Sequence, residues 1–331
     1  MNKFYNNFLL FFLLILLAFL LTFSALNLIY NPDLVNYIEI ISNSDYSEST
    51  VEPMIALLSV VSKNISSVLP LNSIFLVYFL HIFTIVSCVF YGLKVSFNGS
   101  IAKGLIGLMT WLSMYGVIQC LIQIRFGMAS SIAFLLFSLS LFRRPNKGNK
   151  PWRFAYLAMI THYSSIFVAT TILLLGRKLS FITSRKILLF HVGYAITLML
   201  FKISIIFSFL PEFMLARISI YINSENTELV SWSTSLIALV LYILLLFRST
   251  PNINKEDVLR LFGILSFLPY FIVPEIEILI RTGIPFQYLL ITYLFLTYKK
   301  KSYLLNSTLP LIVFFSFKVW SNAGALIKYL G

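Results

Sequence analysis

One arginine stands alone. Between Gly104 and Phe142 the only charged residue is Arg125, in Gln123-Ile-Arg125-Phe-Gly127. A guanidinium at the centre of a membrane span costs at least ~2.5 kcal/mol. Arg125 therefore either sits in a tight outer turn and snorkels to the headgroups, or faces a cavity as an anion ligand. A guanidinium grips phosphate oxygens in a two-pronged way, and Gly127 would let a backbone come close. His162 is the second candidate, inside the polar break Thr161-His162-Tyr163-Ser164-Ser165 of an otherwise apolar stretch. It is a hydrogen-bonded packing residue, or a proton carrier or phosphate donor at the tip of a broken helix. Arg217 and Arg281 are isolated in the same way. Glu277 and Arg281 stand four apart, so a local ion pair is the plain account of Arg281. Asp33 and Glu52 flank Pro32 and Pro53 and would suit first helical turns. Alternatively, each is a surface carboxylate that takes a proton from a sugar hydroxyl. His81 and His191 lie in apolar runs without a polar break and read as structural. There is no His-Glu-x-x-His, no paired Cys and no aspartate pair, so no metal site is expected.

The elements that must position these residues are membrane helices. The chain of 331 residues is 59% hydrophobic and 11% charged, against about 25% charged in soluble domains. Spanning runs of about 20 residues are predicted at 8–29, 71–93, 104–123, 126–142, 187–210, 231–247, 261–280, 282–298 and 303–320. The run 8–29 is too long for a signal-peptide core and reads as a retained span. Segment 54–69 carries Lys63 and reads as interfacial. The expected fold is an all-α polytopic membrane protein with about 9–11 transmembrane helices. It forms a single domain over 1–331, with an interfacial helix in an external loop at 30–70 and another external loop at 211–230. Cys88 and Cys120 fall inside apolar runs and read as free thiols.

The net charge of +13 does not point to nucleic acid. Most Lys and Arg fall in short clusters between apolar runs: 94–103, 143–153, 177–186, 248–260 and 299–301. Such clusters belong in the cytoplasm. Keeping both 143–153 and 177–186 inside requires 154–175 to enter and return as a re-entrant hairpin; the alternative is a plain span with a basic external loop. Broken backbone at membrane depth needs cover from protein or a water-filled cavity. With the hairpin, the N-terminus lies inside. Arg125, Arg217 and Arg281 then share the outer face with many acids, Asp33 and Glu52 among them.

In this order and these loop positions, the residues resemble the EpsG/Wzy-type polysaccharide polymerases of bacterial envelopes. The matching pieces are Asp33-x-x-x-Tyr37, Glu52-Pro53, Gln123-Ile-Arg125-Phe-Gly127-Met-Ala129, His162-Tyr-Ser164, Arg217-Ile-Ser-Ile-Tyr221, and Arg281 with Tyr288. Phe126 departs from the pattern, since a small or polar residue is common there, and the segment after Lys301 matches little. The resemblance implies a membrane glycosyltransferase that joins undecaprenyl-diphosphate-linked oligosaccharide repeat units at the outer face of the bacterial cytoplasmic membrane. Its partners would be those lipid-linked oligosaccharides, membrane lipids, a chain-length regulator and a flippase. The donor is already activated, and the sequence has no Walker motif or Gly-rich nucleotide loop. Neither nucleotide nor metal is expected.

On this view Arg125 and Arg281 hold the donor diphosphate and Arg217 that of the acceptor. Glu52, Asp33 or His162 removes the acceptor proton, and Tyr37 belongs to an acidic, tyrosine-bearing loop that receives the sugar. Arg125→Ala would then abolish polymer and leave protein level intact. A flippase is the main rival, but it should show paired repeats and a basic path across the membrane. The phosphate role of Arg125 is lost if the residue is tied to an acid far from any opening.

Overall fold

The computed structural model describes residues 2–42, 52–143, 150–177, 179, 182–202, 230–247, 254–297 and 308–330. Every regular element among them is helical. In chain order these are α1 (Asn2–Leu26), α2 (Pro32–Ser42), α3 (Pro53–Val68), α4 (Ser73–Ser96) and α5 (Ile101–Trp111). A π-helical turn (Leu112–Gly116) leads into α6 (Val117–Leu121), followed by α7 (Ile124–Phe142). Then come α8 (Tyr156–Thr161), α9 (Ile166–Leu175), α10 (Ser184–Lys202), α11 (Trp232–Leu246), α12 (Lys255–Gly263), α13 (Leu268–Ile272), α14 (Glu277–Thr297) and α15 (Leu309–Leu330). Seven of the helical stretches are long and apolar enough to cross a membrane; α3, Tyr163–Leu175 and α11 are apolar but shorter. The protein is a multi-pass, all-α membrane protein.

The chain forms two compact units, residues 1–135, 155–163 and 315–331 in one and 136–154 and 164–314 in the other. In the first unit, α1 buries a single stripe of Leu10, Leu14, Ala18, Thr22 and Ala25 and leaves Phe8, Phe12, Phe19 and Phe23 exposed. That one-sided pattern is what a helix bordering lipid requires. Asn31 gathers three elements at one end of this unit. Its Nδ2 donates to Ala25 O at 3.2 Å and to Leu121 O at 3.0 Å, while its Oδ1 accepts from Leu34 N. The ends of α1, α6 and α15 and the starts of α4 and α7 share that end, because Tyr30 also stacks on Tyr329 with ring centroids 5.9 Å apart. Lys94 and Lys103 lie at the other end of α4 and α5.

Several expected boundaries move. The predicted span 303–320 is instead α15, Leu309–Leu330. Hydropathy discounts Lys318 and Asn322, but both are accommodated. Asn322 Nδ2 donates to Met114 O on the π-helical turn, and Lys318 Nζ sits 5.7 Å from the Tyr115 ring centroid. The predicted span 261–280 is a composite helical path that starts at Lys255, tightens to a 3-10 turn at Ile264–Phe267 and ends at Ile272. Pro269 lies in the first turn of its last α-helical piece, Leu268–Ile272, where proline is tolerated. The run 154–175 does break. The α-helix stops at Thr161, His162 is extended, and helix resumes after a 3-10 turn at Tyr163–Ser165. Residues 203–229, with the loop 211–230 and Arg217 and Tyr221, fall outside the described set, Val230 excepted.

In the second unit α14 packs on the 3-10 turn through Gly283. A Cβ there would stand 2.8 Å from Ser266 O and 3.1 Å from Ser266 Cα. Backbone cannot give way as a flexible side chain does. Gly283→Ala should therefore cost about 1–3 kcal/mol, seen as a lower melting temperature of detergent-purified protein. Gly193→Ala is the control, because nothing lies within 4 Å of its Cβ position, and it should not melt earlier.

Candidate functional site

Arg125 lies in the first turn of α7, just after the helix break at Gln123. Its Nη1 donates to Glu52 Oε2 at 2.7 Å, with the arginine side chain 18% exposed and the glutamate 2%. Glu52 is the N-cap residue of α3, with Pro53 next in the chain, yet its side chain makes no capping bond. The expected helix start is present, and the carboxylate is turned to Arg125 instead of to the helix. Its oxygen is committed to orienting a guanidinium, which counts against it as the general base.

Under the arginine lies Tyr37 of α2, with the guanidinium carbon 5.5 Å from the ring centroid. The Tyr37 ring meets Tyr78 edge-on at 5.1 Å and His81 at 6.0 Å, both on α4. Tyr37 is fully buried. Burial pushes its phenol well above the ordinary value; Arg125 opposes the shift, and Asp33 and Glu52 reinforce it. Tyr37 is thus a neutral hydroxyl donor at any physiological pH. Asp33, in the first turn of α2 and half-buried, is close enough to act electrostatically on Tyr37, Tyr78 and Arg125. The Tyr78 hydroxyl approaches Asn31 without reaching hydrogen-bond geometry.

His162 joins from α8. Its ring meets Phe126 edge-on at 5.6 Å, one residue from Arg125, and its N–H donates to Ala158 O. The phenylalanine that departs from the expected pattern is the surface against which the histidine is set. Asp33, Tyr37, Glu52, Arg125 and His162 are therefore all in the first compact unit, around the head of α7. Arg281 is not among them. It lies in the second turn of α14 in the second unit, and the side chain of Glu277, its expected partner, is outside the described set.

Gly127 does something different from the substrate approach expected of it. A Cβ there would lie 2.7 Å from Gln119 O, so the close approach is between α7 and α6. It fixes where α7 begins and hence where Arg125 points. His81 and Tyr78 were legible only as an i,i+3 polar pair in an apolar run, a signal that says nothing about depth or neighbours. His191 is structural as expected: its ring nitrogens engage Tyr242 Oη at 2.9 Å and Leu261 O at 2.8 Å.

The fold is that of a multi-pass helical membrane protein, with Arg125 paired to Glu52 over Tyr37 at one end of a helix unit. Comparison of sequences gives the family. The model of the EpsG family matches residues 10–330, and the chain belongs to that family, the Wzy-type polysaccharide polymerases. Its general role is thus polysaccharide polymerisation in a bacterial membrane. No curated protein and no solved structure matches the chain.

The ion pair changes what Arg125 substitutions mean. Removing one partner of a buried pair costs about 3–5 kcal/mol, and the partial exposure of Arg125 places this pair toward the lower end. Arg125→Ala should lower the amount and melting temperature of the protein, and not leave its level intact. Arg125→Met combined with Glu52→Gln should melt higher than Arg125→Met alone, because the stranded carboxylate is gone. Fluorescence-detected thermal melts of the variants in detergent measure this.

Proposed function

We propose that this protein lengthens a surface polysaccharide by joining undecaprenyl-diphosphate-linked repeat units at the outer face of the bacterial cytoplasmic membrane. The observation that carries this is the Arg125–Glu52 pair seated on Tyr37, at the end of its unit opposite Lys94 and Lys103. Basic loops belong inside, so the head of α7 faces outward. Family membership supplies the reaction class.

The arginine has five N–H donors in a fixed fork. Glu52 takes Nη1, and among the described residues the buried Nε has no hydrogen-bond partner. The arginine side chain is 18% exposed, and a diphosphate oxygen that reaches the exposed part would meet a guanidinium already held in place. The N-terminal end of α7, which carries a partial positive charge, lies beside it. As the bond from the anomeric carbon to the diphosphate breaks, negative charge grows on the leaving oxygens, and a fixed cation there lowers the barrier. The chain's own residues can do this without nucleotide or metal. Arg281 of the second unit and Arg217 remain candidates for additional diphosphate contacts. A chain-length regulator and a flippase would act with it.

Arg125→Lys keeps the charge and loses the fork. In a deletion strain complemented with this variant at matched protein level, long polymer should fall by about 10²-fold or more. Single lipid-linked repeat units should build up on the outer leaflet. Full-length polymer from Arg125→Lys would remove the diphosphate role. Retention of the units on the inner leaflet in the deletion strain would make the protein a flippase.

A further inference from the structure

We propose that His81 is the proton acceptor of the site, with Tyr37 as the hydroxyl donor that places the reacting oxygen before it. This deepens the polymerase reading and rests on it. His81 Nδ1 lies 2.8 Å from Val77 O, a carbonyl that can only accept. Nδ1 therefore carries the proton, and in the neutral ring Nε2 presents its lone pair. Both the histidine and Tyr37 are fully buried. Among the described residues, His81 Nε2 and Tyr37 Oη each have no hydrogen-bond partner. Such buried groups are rare and usually mark a role. Here one acceptor and one donor belong to rings 6.0 Å apart, and a single hydroxyl satisfies both. Its oxygen accepts from Tyr37 O–H and its hydrogen points to His81 Nε2. The Val77 carbonyl fixes the tautomer of His81, as an acceptor on the far ring nitrogen does for other basic histidines.

The step balances. The acceptor sugar's O–H bond breaks and its proton goes to Nε2. The freed oxygen pair forms the new bond to the donor's anomeric carbon. The bond from that carbon to the diphosphate breaks, and its electron pair leaves with the diphosphate. The imidazolium that results is faced by Tyr37 from α2, Glu52 from the head of α3 and Arg125 from α7. α1 brings no charged residue beyond Lys3, and Lys103 of α5 is at the far end. The hydroxyl at Nε2 belongs to the acceptor sugar itself, or to a water that gives its proton to the ring as it takes that of the sugar.

The test uses the full chain in nanodiscs, supplied with lipid-linked repeat units extracted from the deletion strain. Rates are read at about pH 7. His81→Gln should lower the rate by about 10²-fold or more, and Tyr37→Phe should lower it as well. An unchanged rate in folded His81→Gln overturns the proposal. If that variant does not fold, nitrogen-15 spectra of histidine-labelled wild type decide. Neutral His81 with the proton on Nδ1 supports the proposal, and a proton on Nε2 overturns it. Loss of polymer with Arg125→Lys but not with His81→Gln sinks this inference alone, whereas full polymer in the deletion strain sinks the polymerase reading.

Discussion

A carboxylate that is 2% exposed has to be paired or neutral, and in this protein Arg125 supplies the partner. That single ion pair links the segment before α3 to the head of α7. It also determines how the guanidinium is presented. With Nη1 held by Glu52 and the plane resting on Tyr37, the arginine has little freedom left to lose when an anion arrives. The geometry is thus set before any substrate binds, which is what electrostatic catalysis requires. The same cluster ties α2 and α3 to the longer helices. Their charged and aromatic residues are fixed to the spans by Glu52, by Asn31 and by the edge-on rings of Tyr37 and Tyr78.

Much of the site was legible because membrane sequences advertise their exceptions. Arg125 was visible as one charge in a long apolar stretch, and His162 as a polar break in another. The structure finds both features at the same place, joined through Phe126. Tyr37, Asp33 and Glu52 were legible by their order along the chain. What stayed hidden was depth. A hydropathy profile records that Tyr78 and His81 lie in a span, but not that they lie level with Tyr37. It cannot distinguish a glycine that admits a substrate from one that admits a neighbouring helix, and Gly127 is of the second kind. The limits of the last span were misjudged for a related reason. Asn322 and Lys318 look polar in sequence, and their partners lie some 200 residues away along the chain.

The charge balance of the cluster bears on its chemistry. Among the described residues, one cation stands with two carboxylates, Asp33 and Glu52. On the proposed reading, tight binding of a lipid-linked donor would deepen the ground state without speeding the reaction, and a partly offset arginine would hold that donor weakly and gain most as charge accumulates on the leaving oxygens.

Position at the head of α7 depends on elements distant in sequence. The π-helical turn at Leu112–Gly116 leaves a carbonyl at Met114 that Asn322 of α15 engages. π-helical turns release a backbone group from the regular ladder and tend to occur where function needs it. With that carbonyl held, α6 reaches Leu121 at the level of Asn31, whose amide binds its carbonyl. Gln119 then meets Gly127, and α7 can start only where that backbone approach allows. Arg125 stands two residues earlier. The last span was expected to match the family little, but the family match runs through residue 330. Its Asn322 supports α6 through a backbone carbonyl, and so bears on where the first turn of α7 places Arg125.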